Sequence, residues 1–185
     1  MKIIGLDLAG TEGNTTGFCL MGEEITEVSE LMTNEEIVSK VEEIKPDVVA
    51  IDAPLSFPTN GNWRQAEYDM NSRKIKFFPP KGLLAMEKLT VRGIALKDHF
   101  QKKGFLVIEV YPGAFYDILN MPRKGNYLEL KRLLKIYNLN LEKREYSQHE
   151  LDAVASAFTA RLFLEAKVEF LGSEDEGQIV VPKVR

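Results

Sequence analysis

The sequence has a single cysteine, Cys19, among its 185 residues. One cysteine can form neither an internal disulfide nor a cysteine-rich zinc site, which excludes domains stabilised in either way and fits a reducing setting. Long hydrophobic runs are absent as well, because the apolar stretch at residues 1–4 is interrupted by Gly5 and Asp7. That stretch is too short for a signal peptide or a membrane span, so we expect a cytoplasmic protein without membrane association.

The chain also lacks a net positive charge. The formal net charge is −4, which argues against a strong nonspecific binder of nucleic acid. The charge is unevenly distributed, however: residues 1–60 contain 3 Lys/Arg and 12 Asp/Glu, whereas residues 61–104 contain 10 and 4. This middle segment can face an anionic ligand, but a lysine-rich helix surface would give the same pattern.

Hydrophobic periodicity predicts an α/β fold in a single domain over residues 1–185. Three short strands come first as an antiparallel meander, followed by a helix that opens with the capping box Thr33 to Glu36 and by the apolar strand 48–52. The later elements are a helix at 83–103, a strand at 105–111, helices at 114–120 and 126–137, and a last helix from the capping box Ser147 to Glu150. A meander that leads into parallel strands predicts a mixed five-stranded sheet flanked by helices. Only residues 55–82 look irregular, and so long an insertion in a compact domain is usually functional or mobile.

Two aspartates stand in apolar strands, where an unpaired charge is costly. Asp7 follows Leu6 in the first strand, and Asp52 ends the fourth directly after Ile51. Either aspartate alone is explained more simply as a strand-end residue that caps the following turn. If the two strands are neighbours, the carboxylates would repel each other unless a cation lies between them, and a hard divalent cation takes oxygen ligands of this kind.

The last helix adds a third carboxylate. His149 and Asp152 are three residues apart near its start, so they lie on one face, close to the partial positive charge of the helix N-terminus. Small neighbours such as Ala153 would allow this helix to approach the sheet closely. We therefore expect Asp152 near Asp7 and Asp52. His149 fits this site, but it fits equally well as a solvated residue of the first turn.

Further candidates lie in the middle of the chain. Glu109 stands in the apolar run 107–111, where it is a fourth ligand, an organiser of the site, or an edge-strand acid that faces water. The irregular insertion contributes Trp63, Arg64, Asp69 and Arg73. The arginines could hold a phosphate and the tryptophan could stack on a base, although a surface loop tied by ion pairs would contain the same residues.

Several short motifs, taken in their order, resemble a known family. They are Gly5 to Ala9, Asp52 to Ser56, Arg64 with Asp69, Glu109 to Pro112 and His149 to Ala153. The chain resembles an uncharacterised family of predicted nucleases with an RNase H-like fold, a domain of unknown function related to the Holliday-junction resolvases. The resemblance runs from residue 3 to about residue 163, nearly the whole chain.

The resemblance implies a metal-dependent nuclease. Asp7, Asp52 and Asp152 would hold one or two Mg²⁺ or Mn²⁺ ions, one to activate water and another to stabilise the leaving oxygen of a phosphodiester. His149 or Glu109 would assist proton transfer or orient a ligand, and the basic middle segment would track the backbone of DNA or RNA. Resolvase-like relatives act as dimers, which makes a homodimer a further expectation.

Two other functions stay open at this point. Residues 7–11 resemble the phosphate-binding first hairpin of ATP-binding phosphotransferases of the actin and sugar-kinase kind. Those proteins enclose ATP between two such domains, whereas this chain supplies one. The second alternative is a non-catalytic nucleic-acid-binding or scaffold protein that retains the acids, and a metal titration separates it from the nuclease.

Overall fold

The structure, a computed structural model, describes residues 1–183. In these residues, seven strands form one mixed sheet between two layers of helices. Its strands are β1 (Ile3–Asp7), β2 (Thr16–Met21), β3 (Ile25–Leu31), β4 (Val48–Asp52), β5 (Val107–Val110), β6 (Val168–Ser173) and β7 (Gly177–Pro182). Its helices are α1 (Asn34–Ile44), α2 (Gln65–Ser72), α3 (Leu84–Lys102), α4 (Pro112–Ile118), α5 (Tyr127–Ile136) and α6 (Gln148–Leu164). The strand order is β3-β2-β1-β4-β5-β7-β6.

The sheet is buried on both faces because its central strands are apolar throughout. Successive residues of a strand point to opposite faces. Ile4 and Leu6 of β1 accordingly pack in one core with α1 and α3, whereas Ile3 packs in the other core with α4, α5 and α6. Within residues 1–183, no helix is long and apolar enough to span a bilayer.

The expected mixed sheet is confirmed, but the expected number of five strands is wrong. The C-terminal residues add a hairpin in which β6 and β7 pair antiparallel, and β7 joins the parallel part of the sheet through Glu109↔Ile179 and Val110↔Val180. The sequence shows only a short apolar piece around Ile179, which was too little to predict two strands. Because β7 pairs with β5 on the side away from β4, β5 is an interior strand. The interpretation of Glu109 as an edge-strand acid is therefore wrong.

The insertion at 55–82 contains the helix α2 and is fastened to this hairpin. The carboxylate of Glu176 accepts hydrogen bonds from the backbone N–H groups of Thr59 at 2.9 Å and Gln65 at 3.0 Å. The hydroxyl of Ser56 donates to the backbone carbonyl of Glu176. The insertion is therefore held by a part of the chain that lies more than a hundred residues away.

The helix α6 crosses the sheet at short range because two glycines leave room for it. A Cβ atom on Gly5 would lie 2.8 Å from the Cβ of Ala157 and still closer to the helix backbone. A Cβ atom on Gly17 would overlap the backbone carbonyl of His149. Small residues in β1 and β2 thus set the distance at which the start of α6 meets the sheet.

We expect Gly5→Ala to lower the free energy of unfolding by about 2–3 kcal/mol, because the helix backbone can yield only if the whole of α6 moves. Gly10→Ala is the matched control, since its new Cβ would meet its nearest neighbour at 3.4 Å. The control should change the free energy of unfolding by less than about 1 kcal/mol. Urea unfolding of both variants checks the expectation, and equal losses would contradict a packing role specific to Gly5.

Candidate functional site

Asp7 and Asp52 meet at the carboxyl ends of two neighbouring strands. β1 and β4 run parallel, and their register pairs Asp7 directly with Asp52. Each aspartate is the last residue of its strand. Paired residues of adjacent strands point to the same face, so the two carboxylates project side by side from one edge of the sheet.

The start of α6 carries His149 and Asp152 to the same edge. The Ser147 hydroxyl accepts from the backbone N–H of Glu150 at 3.2 Å, and the Glu150 carboxylate accepts from the backbone N–H of Ser147 at 2.9 Å. This capping box fixes where the helix begins. His149 then donates from Nδ1 to Oδ2 of Asp7 across 2.6 Å. Its side chain is 53% exposed, so the opposite ring nitrogen, Nε2, is the one left to face a ligand.

Asp152 is held by two donors that occupy the same oxygen. The hydroxyl of Tyr116 and the side-chain amide of Gln148 each donate to Oδ1 of Asp152 at 2.8 Å. Oδ2 is therefore the oxygen left for a ligand. Neither donor was a candidate from the sequence. Gln148 precedes Asp152 by one helical turn and could have been found from that spacing, whereas Tyr116 is 36 residues away and gives no local signal.

Burial and mutual repulsion raise the pKa values of these acids. Burial raises the pKa of Asp52 well above its ordinary value, and the charges of Asp7 and Asp152 raise it further. Burial and the charge of Asp7 raise the pKa of Asp152 to about 6, although Gln148 and Tyr116 oppose this shift. The hydrogen bond to Asp7 raises the pKa of His149. Such shifts mark carboxylates that are crowded together without a compensating cation.

The donor set suits a hard divalent cation in its chemistry, since it offers carboxylate oxygens that repel one another. The side chains are not gathered around one point, however. Within residues 1–183, no group of three or more His, Cys, Asp or Glu side chains is arranged to hold a metal ion. Asp7 is turned toward His149, and Asp152 toward Tyr116.

A buried ion-pair cluster of Arg64, Glu67 and Glu109 lies behind the aspartates. Arg64 donates to the two carboxylate oxygens of Glu109 at 2.8 and 2.6 Å and to Glu67 at 2.7 Å. Burial alone would lower the pKa of Arg64, but the charges and hydrogen bonds of Glu109 and Glu67 outweigh it and raise the pKa. The backbone N–H of Leu55 donates to the same Glu109 carboxylate at 2.8 Å.

This cluster bears on two candidates from the sequence. Arg64 was interpreted either as a phosphate ligand or as part of a surface loop tied by ion pairs, and it is ion-paired to two glutamates but lies in the interior, with a side chain that is 0% exposed. Glu109 was interpreted as a ligand or an organiser of the site, and in the structure its carboxylate accepts hydrogen bonds from Arg64 and from the backbone N–H of Leu55. It fixes both Arg64 and the backbone that follows β4.

The remaining candidates lie around α2. Arg73 forms an exposed ion pair with Glu169 at 2.6 Å, and Asp69 accepts a hydrogen bond from a backbone N–H of β6 at 2.8 Å. Trp63 packs edge-on against Phe77, with the ring centroids 5.0 Å apart. For Arg73 and Asp69, these contacts match the alternative of a segment tied down by polar contacts. Trp63 also packs edge-on against Tyr68, so it belongs to an aromatic cluster.

Residues 5–177 match the family described as Protein of unknown function (DUF429). The chain belongs to the DUF429 family. No curated protein matches the sequence of this DUF429 chain.

Two solved structures resemble the DUF429 chain over most of its length. RuvC of T. thermophilus in complex with a Holliday junction substrate is 13% identical, covers 90% of this chain and 96% of its own, and gives a TM-score of 0.59. A second structure of Thermus thermophilus RuvC is 14% identical over the same shares, with a TM-score of 0.52. These likenesses show an RNase H-like fold, which confirms the fold that the sequence motifs predicted.

Proposed function

We propose that this chain is a divalent-metal-dependent nuclease that hydrolyses phosphodiester bonds of nucleic acid. The observation that carries the proposal is the in-register pair of Asp7 and Asp52, joined by Asp152 from α6. Three repelling carboxylates at one edge of a sheet are costly unless a cation lies among them. Mg²⁺ or Mn²⁺, when bound, would polarise the phosphodiester and activate a water molecule.

The chain's own residues take distinct roles in this proposal. Asp7 and Asp52 would hold the cation from the sheet, and Asp152 would bind it through Oδ2 because Oδ1 is occupied. His149, oriented by its bond to Asp7, would move a proton at Nε2. Glu109 would act as a positioning residue, since it holds the segment that follows β4 in place through Leu55.

Nucleic acid is the proposed substrate because the fold is shared with RuvC bound to a Holliday junction. The basic middle segment supports this choice. Its two most prominent arginines are engaged in ion pairs. Exposed lysines remain in this segment for contact with phosphates, at positions 74, 76, 81 and 88. A homodimer and a cytoplasmic location stay predictions.

Calorimetric titration of Mn²⁺ tests the proposal. Wild type should bind Mn²⁺, and Asp7→Asn should lose that binding, because it removes a charged ligand from the in-register pair. Asp98→Asn is the control: it removes an exposed carboxylate on α3 and should bind Mn²⁺ as wild type does. A screen of nucleic-acid substrates with Mn²⁺ then follows.

The proposal fails if wild type binds no Mn²⁺ even with an oligonucleotide present. It fails equally if Asp7→Asn and Asp98→Asn weaken binding to the same extent, because the ion would then be attracted by general negative charge. If the protein binds nucleic acid but no metal, the result supports the alternative of a non-catalytic nucleic-acid-binding or scaffold protein.

A further inference from the structure

A pocket of about 170 Å³ opens directly beside the two strand aspartates. Asp7 and Asp52 stand at its rim, the ion-paired Arg64, Glu67 and Glu109 also line it, and its other walls are apolar or aromatic. The wall residues that matter here are Met70, Phe77, Phe78, Met86, Leu89 and Tyr111. The pocket therefore offers aromatic and aliphatic surface within one nucleotide's reach of the proposed cleavage site.

One wall of the pocket is held in place by hydrogen bonds. The backbone carbonyl of Lys76 accepts from the hydroxyl of Tyr111 and from the guanidinium of Arg123, each at 2.8 Å. At the other end of this wall, the backbone N–H of Gly82 donates to the carboxylate of Glu87 at 2.9 Å. The two phenylalanines between these anchors are thus presented by a fixed segment. The pocket is formed before any ligand arrives.

The chemistry of the lining selects a neutral ring and excludes a phosphate. Among the lining residues within 1–183, Arg64 is the only cation, and two glutamates neutralise it. Acids at the rim and below would repel an anion that entered the pocket. An apolar cavity of about 150 Å³ is large enough for benzene, so this one admits a single aromatic ring system but not a base pair.

We propose that this pocket receives one unpaired nucleobase next to the phosphate that is cleaved, so that the substrate is nucleic acid with at least one unstacked nucleotide. This inference rests on the proposed nuclease function. Phe77 and Phe78 supply the stacking surface, which tolerates any base because every base has an aromatic face. A fully paired duplex would have to extrude a base before it could be cut.

An abasic scan tests the pocket. Binding of a short single-stranded DNA would be measured with Mn²⁺ in an Asp152→Asn background, which keeps both rim aspartates and removes one proposed ligand. Replacing the bases one at a time by abasic sites should weaken binding about tenfold at one position, the size of one stacked base. Phe78→Ala, at a position that is 70% exposed and safe to change, should bind the intact strand about tenfold more weakly and abolish the difference at that position.

Two further variants sharpen the test. Met86→Trp should fill the pocket and abolish the same position-specific difference without removing an aromatic wall. Phe170→Ala, at an exposed aromatic of the edge strand β6 outside the pocket, should leave the scan unchanged.

The outcomes separate this inference from the proposed function. If wild type binds Mn²⁺ but no single base matters, or if the same base still matters in Phe78→Ala and Met86→Trp, the pocket assignment is overturned and the nuclease stands. If wild type binds neither Mn²⁺ nor DNA, the proposed function falls and the pocket assignment with it.

Discussion

Asp52→Asn should make the metal-free protein more stable while it abolishes metal-dependent cleavage. Asp52 stands in register with Asp7, and burial together with the neighbouring charges raises its pKa well above the ordinary value. An amide at position 52 removes one of two repelling charges and can donate to the Asp7 carboxylate. We expect a gain of about 1–4 kcal/mol in the free energy of unfolding, the range for two like charges about 4 Å apart between bulk water and a protein surface.

The same substitution removes a proposed metal ligand. Wild type should gain about 2.7 kcal/mol of stability when Mn²⁺ is present at a hundred times its dissociation constant, and Asp52→Asn should gain almost none. Cleavage should fall by about a thousandfold or more, as for the loss of other central active-site groups. Opposite signs for stability and activity would identify Asp52 as a residue kept for function.

Thermal and urea unfolding with and without Mn²⁺ measure both effects. Asp175→Asn, which neutralises an exposed acid in the turn between β6 and β7, serves as the control and should respond to Mn²⁺ as wild type does. A metal-free Asp52→Asn protein that is less stable than wild type would contradict the repulsion on which the proposed metal site depends.

The parts of the site that follow local patterns were predictable from the sequence. Asp7 and Asp52 each end an apolar run, and their pairing needed only the inference that the two strands are parallel neighbours. His149 and Asp152 followed from helical spacing and a capping box. The close approach of these two residues of α6 to the sheet depends on Gly5 and other small residues, which are visible in the sequence.

Side-chain partners that are far apart along the chain were not predictable in this way. Tyr116 reaches Asp152 because α4 and α6 pack together, and no periodic pattern specifies which hydroxyl meets which carboxylate. Arg64 stands in a segment that looks like a surface loop. It is buried because Glu109 lies 45 residues away on an interior strand, and that position depends on the unpredicted hairpin β6–β7.

Arg64→Met should destabilise the protein more than any other substitution considered above. It removes the cation but leaves Glu67 and Glu109 buried, with side chains that are only 2% and 6% exposed. Breaking a buried pair in this way typically costs about 3–5 kcal/mol, because an uncompensated charge stays behind. Arg73→Met is the matched control: its pair with Glu169 is exposed, and its loss should cost less than about 1 kcal/mol.

Restoring neutrality distinguishes charge from lost packing. If the uncompensated carboxylates cause the loss, Arg64→Met combined with Glu67→Gln and Glu109→Gln should recover about half of it or more in urea unfolding. No recovery would mean that the packing and hydrogen-bond geometry of the guanidinium matter more than its charge. The recovered variant should still cleave more slowly than wild type. An uncharged amide at position 109 would hold Leu55 and the segment that follows β4 less firmly. Asp52, the last residue of β4, would then lose the rigid support that a positioned metal ligand requires.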